Sequence, residues 1–359
     1  MLTQDHSAFD MPANPIEACC NDRIFPLITV LLPVLNEDAR IKTCLMGIIS
    51  NDYPQNKLEI IVIDGGSTDK TIDLVNAMAR EFPIQLLHNP RAQRAVSLNM
   101  GIRAAHGDVI LRMDARSQCP SDYIRKLVLT LLQTGAANVG GHSIPVGEGV
   151  TQKAVSIAMS HPFGIGNARF RLGGSGEVDT VYMGCFRRDI FDKVGLFDEI
   201  SPIISEDSEL NYRIRKAGEK IYLNDDIRVF YEPRSRLSDL FRLYFRYGGA
   251  RAGVFLKHHA FTASRQLIPL LFLLYIAAGS LCFFLGPVWF KLWLSGLMIY
   301  FAVLLFVSLS ILVPTKQWRL GPRLFFCFLI IHLAWPMGFF IRLIQSLLRP
   351  DPPGYYWKN

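Results

Sequence analysis

Ile60-Ile-Val-Ile-Asp-Gly-Gly-Ser-Thr-Asp69 decides the fold. Its four leading residues are continuously apolar, the pattern of a parallel strand covered on both faces, and the run stops at a carboxylate followed by two glycines. Thr68 or Asp69 is placed to cap a helix whose buried stripe is Ile72, Val75 and Met78 or Ala79. Upstream, Leu27 to Val34 reads as a strand, and Ile41, Leu45, Ile48 and Ile49 recur at helical spacing until Tyr53-Pro54 breaks the pattern. Downstream, Ile84 to Leu87 reads as a strand, Ala95 to Ala105 as a helix, and Val109 to Met113 as a strand that ends at Asp114. This βαβαβ order predicts an α/β fold with a doubly wound, mostly parallel sheet, where ligands bind outside the carboxyl ends of the strands. Glu37, Asp64 and Asp114 fall at such ends.

Beyond Asp114 the strand signal weakens. Asp122 to Leu132, Arg187 to Gly195 and Glu206 to Lys216 read as helices, the last with Leu210 and Ile214 on one face and Gly218 at its end. Gly173 to Gly176 reads as a loop. From Ser235 to Lys257, Leu237, Leu240, Phe241, Tyr244 and Phe245 share a face while Arg242, Arg246 and Arg251 lie on others. That pattern suits a helix lying in a membrane interface, the other reading being a helix packed on the catalytic domain.

Half of the 359 residues are hydrophobic, and the excess lies at the carboxyl-terminal end. Leu267 to Leu285 and Leu292 to Val313 are long enough to cross a hydrocarbon layer of roughly 30 Å. Leu324 to Ile341 is a third candidate span, flanked by Arg323 and Arg342 and interrupted by Pro336. The formal charge is +7, with basic residues crowded between Arg228 and Arg265, where they favour anionic headgroups on the cytoplasmic side and argue against nucleic-acid binding. The rule puts the Gly286 to Lys291 loop outside and the loop carrying Lys316, Arg319 and Arg323 inside. It leaves Arg342, Arg349 and Lys358 on the wrong side if the third segment spans. The seven cysteines are odd in number without metal-type spacing, and read as buried apolar residues of a reducing compartment, apart from Cys19 and Cys20 in a loose tail. Residues 1 to 24 carry Asp5, Asp10, Glu17 and Asp22 and no apolar core, so they do not read as a signal peptide. The expected division is a tail at 1–26, a catalytic domain at 27–232, a basic amphipathic segment at 233–265, a membrane region of about three helices at 266–348 and a tail at 349–359. The expected location is the cytoplasmic (inner) membrane, multi-pass, with the catalytic domain facing the cytoplasm.

An acidic residue after the second strand of a nucleotide-binding sheet accepts hydrogen bonds from ribose or base, which is one role open to Asp64; a turn with a helix cap is the other. Asp114 follows Arg112, so a structural ion pair competes with ligand binding there. Glu206 and Asp207 open a helix, where the macrodipole alone favours carboxylates.

Taken in order, Pro33-Val-Leu-Asn-Glu37, Val62-Ile-Asp-Gly-Gly-Ser-Thr-Asp69, Arg94-Ala-Val-Ser-Leu-Asn-Met-Gly101, Gly107-Asp-Val-Ile-Leu-Arg-Met-Asp114 and Ser205-Glu-Asp207 resemble the motif series of family 2 glycosyltransferases with the GT-A fold. Val139-Gly-Gly, Val178-Asp-Thr-Val, Glu206 to Gly218 and Tyr244-Phe-Arg-Tyr-Gly248 are similar to the succinoglycan-biosynthesis ExoA group of membrane-attached transferases. The resemblance covers most of residues 27 to 232. It implies inverting transfer of a sugar, UDP-glucose or similar, from its nucleoside diphosphate to a glycan on a polyprenyl-diphosphate carrier. Carried over by motif, Pro33 and Glu37 line the nucleotide, Asp64 reads the base, Arg94 lies nearby, Asp114 faces ribose and a divalent metal (Mg²⁺ or Mn²⁺), and Asp207 is the general base. Glu206, Arg246 and Arg251 are candidates for diphosphate or acceptor contacts. One departure stands out. The family's second metal-binding aspartate is Arg116 here, which cannot ligate a cation, so Arg116 is expected to take over part of the charge neutralisation. No Gln-x-x-Arg-Trp motif of a processive polymerase is present, which favours single-sugar addition. Two other readings are a transferase loading polyprenyl phosphate directly and an inactive membrane scaffold.

Overall fold

The computed structural model describes residues 25–200 and 204–348; the expectations for Cys19, Cys20, Arg349, Lys358 and the two tails lie outside them, apart from residues 25 and 26. Strands β1 (Ile28–Val34), β2 (Leu58–Asp64), β3 (Ile84–His88) and β4 (Val109–Arg112) form a parallel set in the order β3-β2-β1-β4. Helices α1 (Ile41–Ile49), α2 (Thr71–Ala79) and α3 (Arg94–Ala104) make the crossovers. Alternation along the central strands sends side chains to two separate cores. Ile60 and Val62 pack with α1 and α2 on one face, and Ile61 and Ile63 pack with α3 on the other. This is the doubly wound pattern that the apolar runs predicted, and it leaves the carboxyl edge of the set for ligands.

Beyond β4 the sheet changes character. After β5 (Ser117–Gln118), α4 (Tyr123–Thr134), β6 (Asn138–Pro145), α5 (Val150–Met159), α6 (Pro162–Ile165), α7 (Arg169–Leu172), β7 (Gly176–Glu177), β8 (Tyr182–Arg187), α8 (Asp189–Val194), α9 (Glu206–Lys216) and β9 (Ile221–Tyr231), the sheet continues as β4-β8-β6-β9-β5, with β7 also on β9. Here β8 is antiparallel to both β4 and β6, and β5 and β7 are antiparallel to β9; only β6 and β9 run parallel. The parallel order is therefore confined to the first half. Arg187, expected to begin a helix, ends β8 instead.

Four long helices follow: α10 (Leu237–His258), α11 (Leu267–Leu285), α12 (Pro287–Thr315) and α13 (Gly321–Leu348). The last three are long and apolar enough to cross a membrane. α11 matches its expected bounds. α12 begins at Pro287 and takes in Lys291, so the expected loop shrinks to a turn at Gly286. α13 runs straight through Pro336 and past Arg342, because the Pro336 ring sits in a helix supported along its length by neighbours. α11 and α12 expose large apolar side chains such as Ile268, Phe284 and Phe306, whereas α13 shares a core with α5, α10 and α12 that includes Val155, Leu240, Leu304 and Phe328.

The apolar face of α10, expected to lie in a membrane interface, has α13 as its partner. The two helices cross at backbone contact distance: a Cβ on Gly248 would fall on the Trp335 carbonyl, and one on Gly338 would fall on the Phe245 carbonyl. Small residues are what allow helices to approach this closely. Gly338→Leu is accordingly expected to push α10 away from α13 at a cost of roughly 3 kcal/mol, the upper part of the usual range for overpacking, because backbone rather than a flexible side chain must give way. A thermal melt in detergent reads this, and a midpoint equal to the parent's would contradict the crossing.

Candidate active site

The strand ends bring the sequence candidates into three neighbouring groups. The first is built on Arg112, the last residue of β4, whose side chain is almost fully buried. Its Nη2 lies 3.5 Å from Asp114 Oδ1, and its Nη1 lies 3.2 Å from Glu206 Oε1 and 3.9 Å from Asp207 Oδ2. Arg94 at the start of α3 adds a second, half-exposed cation 3.8 Å from Glu206. Burial works against the charge on Arg112, yet the Asp114, Glu206 and Asp207 carboxylates keep it protonated. Burial likewise pushes the Asp114 carboxyl upward, but Arg112, Arg94 and the Tyr182 hydroxyl, which donates to Asp114 Oδ2 at 3.2 Å, hold it below the usual range. Glu206 is 1% exposed, while the side chains of Asp114 and Asp207 keep 19% and 26% of their surface open. Two reachable carboxylates thus sit on opposite arms of one buried guanidinium, with a third sealed behind them. The choice that the sequence left open at Asp114, ion pair or ligand contact, resolves into a pair with one open edge.

The second group alters an expectation. Arg116 does not reach toward the Arg112 centre: its Nε donates to Glu37 Oε1 at 2.7 Å, and Arg40 approaches the same carboxylate at 3.7 Å while pairing with Glu232 at 3.3 Å. Glu37 is nearly buried, while the Arg116 side chain keeps 54% of its surface exposed, so this guanidinium has a carboxylate partner of its own at the edge of the site. Pro33, half-buried in β1 and opposite Ile63 in register, lies behind this loop.

Asp64 anchors the third. Only 1% exposed, it accepts hydrogen bonds from the backbone N–H groups of Gly66 at 2.8 Å and Ser67 at 3.1 Å, and the His88 ring stands 3.3 Å away. Asn36 and Asp69 tie this turn to the β1 loop, Asn36 Oδ1 accepting from Thr68 N and Asp69 Oδ2 from Asp38 N. Asp69 also accepts from Thr71 N at 2.9 Å; it stands one residue ahead of Lys70, which holds the N-cap position of α2 without a side-chain bond, so neither Thr68 nor Asp69 is the cap residue. The Asp64 carboxylate expected to face a base is therefore largely committed to its own turn, as the competing turn reading had it.

Arg246 is exposed on α10. Arg251 is half-buried, donates to Thr262 Oγ1 at 3.3 Å, and interacts electrostatically with Asp207. Burial and the nearby Arg265 lower its basicity, with Asp207 opposing. Sequence reasoning missed Tyr182, which bridges Ser117 and Asp114, since it lies in a stretch without periodic signal. It also missed Arg171, which donates to the Tyr231 hydroxyl and stacks over that ring.

Residues 29–195 match the family model described as glycosyl transferase family 2. The succinoglycan biosynthesis protein ExoA of Rhizobium meliloti is 32% identical over 88% of this chain and 94% of its own. A Methanococcus voltae protein, the dolichyl N-acetyl-alpha-D-glucosaminyl phosphate 3-beta-D-2,3-diacetamido-2,3-dideoxy-beta-D-glucuronosyltransferase, is 24% identical over 89% of this chain and 98% of its own. Among solved structures, a mannosyltransferase of Pyrobaculum calidifontis, in complex with GDP-Man and Mn²⁺, superposes with a TM-score of 0.55 at 20% identity, covering 90% of this chain and 87% of that one.

Proposed function

The chain belongs to glycosyltransferase family 2, with a GT-A catalytic domain, and from that premise we propose that it is an inverting hexosyltransferase moving a sugar from a nucleoside-diphosphate donor, UDP-glucose or similar, to a lipid-linked glycan in exopolysaccharide assembly. The observation that carries this reading is the shared guanidinium: Arg112 meets Asp114 on one nitrogen and Asp207 on another, so a donor at the end of β4 and an acceptor at α9 would meet across one side chain. Asp207 takes the proton of the acceptor hydroxyl as that oxygen bonds to the anomeric carbon. The bond from that carbon to the diphosphate oxygen breaks with its electron pair, and attack opposite the leaving group inverts the centre. Pro33, Glu37 and Asp64 border the nucleotide, with Arg94 and Arg112 beside the diphosphate. A lipid-linked acceptor is supported by the Methanococcus relative, whose name specifies a dolichyl phosphate-linked sugar.

A divalent ion fits as one held largely by its substrate. Among the described residues no three His, Cys, Asp or Glu side chains gather to hold one, so Asp114 would bind it together with diphosphate oxygens and water. Bound there, Mg²⁺ or Mn²⁺ would offset the charge building on the departing diphosphate. EDTA is expected to abolish transfer, with either ion restoring it. Arg116→Ala is expected to cost less than about fivefold, since an exposed pair contributes up to about 1 kcal/mol and this guanidinium serves Glu37. Activity that survives EDTA but not Arg116→Ala would return the role to Arg116.

The proposed topology is a spanning α11–α12 hairpin with the catalytic domain on the cytoplasmic side of the inner membrane and α13 lying along the domain's membrane-facing side. Supporting this, α13 touches the domain repeatedly: Arg323 Nε donates to Thr151 Oγ1, and His332 Nε2 lies 2.7 Å from the Phe163 carbonyl oxygen, before the Gly338 crossing with α10. Arg342 then stays inside, in keeping with the positive-inside rule. The function is tested by incubating the purified protein with a panel of nucleotide sugars and membrane lipid extract and weighing the product. A sugar added to a lipid-linked glycan supports the reading; a sugar on bare polyprenyl phosphate, or no turnover of any donor, overturns it.

A further inference from the structure

Helix α9 opens with Glu206 and Asp207, and one of its faces is gripped by the end of α10 and the turn after it. Glu209, Tyr212 and Arg215 recur at a spacing of three and so share a face. The Glu209 carboxylate is fully buried, with 0% of its side chain exposed. Arg213 of its own helix donates to both oxygens at 3.0 Å, and Lys257 Nζ and His258 Nε2, the last two residues of α10, lie 2.7 and 2.8 Å from Oε1. Burial pushes this carboxyl upward, and its hydrogen bonds from Arg213, Lys257 and His258, with the Arg213 charge, hold it below the usual range. The Tyr212 ring packs on the His258 ring with centroids 4.7 Å apart. Arg215 Nη2 donates to the Thr262 carbonyl at 2.8 Å. Lys257 also bonds Asp198 Oδ2 at 2.6 Å.

Among the described residues the holds on Asp207 itself are adjacent or distant. Its Oδ1 accepts from the neighbouring Ser208 N–H at 2.7 Å and hydroxyl at 3.4 Å, Arg112 lies 3.9 Å from Oδ2, and Arg251 attracts it from α10. The residue before Glu206, Ser205, takes a left-handed backbone with φ +61°, so the chain enters the helix through a sharp turn rather than a continuous element. The position of Asp207 is therefore inherited from the rest of α9. A buried carboxylate is costly unless its partners are complete, and since Arg213 moves with α9 itself, the partners that fix where the helix sits are the two at the end of α10.

We infer that Lys257 and His258 are positioning residues: by holding Glu209 they set Asp207 against the acceptor, and they do so from the helix that packs on α13. The inference rests on the reading of Asp207 as the base. Misplacing a reacting group by about 1 Å costs on the order of 10²-fold in rate without any loss of binding contacts.

The test uses the full chain in detergent, measuring kcat, UDP affinity by calorimetry and melting temperature for Lys257→Met, Lys257→Arg and His258→Phe, with Asp207→Asn alongside. Lys257→Met is expected to lower kcat about tenfold or more at unchanged UDP affinity, and Lys257→Arg, which keeps the cation, to recover most of it. His258→Phe keeps the packing on Tyr212 and removes the bond to Glu209; it is expected to give a smaller loss of the same kind, and it decides the matter if Lys257→Met does not fold. Parental kcat in the folded variants overturns the inference, as does a joint fall of kcat, UDP affinity and melting temperature. Transfer retained by Asp207→Asn overturns the underlying reading instead, a result separate from either.

Discussion

Asp207→Asn should bind nucleotide almost as the parent does and transfer sugar about 10² to 10⁴ times more slowly, the usual cost of removing a general base. The amide keeps the shape of the side chain and still accepts from Ser208 N–H, so the start of α9 has no reason to unravel. It cannot take a proton from the acceptor hydroxyl. Turnover is read with saturating donor and lipid acceptor, and affinity by calorimetry with UDP. Unchanged turnover would remove Asp207 from the chemistry, and a loss of folding in step with activity would reduce it to a helix-opening carboxylate favoured by the macrodipole.

A different failure is expected of Arg112→Met. Deleting one partner of a buried ion pair costs about 3–5 kcal/mol, because the charge left behind is out of water and has lost its nearest counterion. Glu206 is that charge: 1% exposed, with Arg94 as its remaining cation at 3.8 Å. The variant should melt well below the parent and lose transfer, since Asp114 and Asp207 lose the side chain that they share. Arg112→Lys supplies a charge but a single point of contact, and should recover part of the stability and little of the rate. A chemical denaturation series on all three proteins measures the first effect, and a methionine variant as stable as the parent would mean that the guanidinium does not balance Glu206.

The parallel half of the sheet was legible because its strands are continuous apolar runs that stop at carboxylates, a pattern few other structures produce. The second half was not. β6 reads Asn138-Val-Gly-Gly-His-Ser-Ile-Pro145, which lacks a strand's bulk because neighbours press on it: a Cβ on Gly140 would meet Val181, and one on Gly141 would meet Ile227. β9 carries Asn224-Asp-Asp226 at its centre, and its pairing with β6 skips from Asn224 to Arg228 at that point. At the site, Glu37, Asp64, Asp114 and Asp207 were visible as acids at strand or helix ends, but which cation each one meets was not. Arg116 is two residues from Asp114 and binds Glu37 instead, and Glu209 finds Lys257 across 48 positions of chain. The first pairing depends on how the ends of β1 and β4 meet and the second on how α9 and α10 are brought together, which no local pattern encodes. The face of α10 was read as apolar with two neighbours open to it, and the structure lays it against α13, because a stripe that suits a lipid interface suits another helix equally well.

The contact between Thr151 on α5 and Arg323 on α13 joins residues 172 positions apart. Chains are made from the amino end at about 5 to 20 residues per second, so roughly 10 to 35 seconds separate the appearance of the two sides. Once β9 is complete at Tyr231 the sheet and its crossover helices have everything they need to assemble, while the apolar flank formed by Ala154, Val155, Ala158 and Met159 still lacks the share of its cover that α13 supplies. The α11–α12 hairpin emerges during the same wait and is ready for the bilayer before α13 exists. Nascent chains arrested between α12 and α13 would thus carry an assembled sheet with a partly open apolar flank, and the last of these helices to be synthesised closes it.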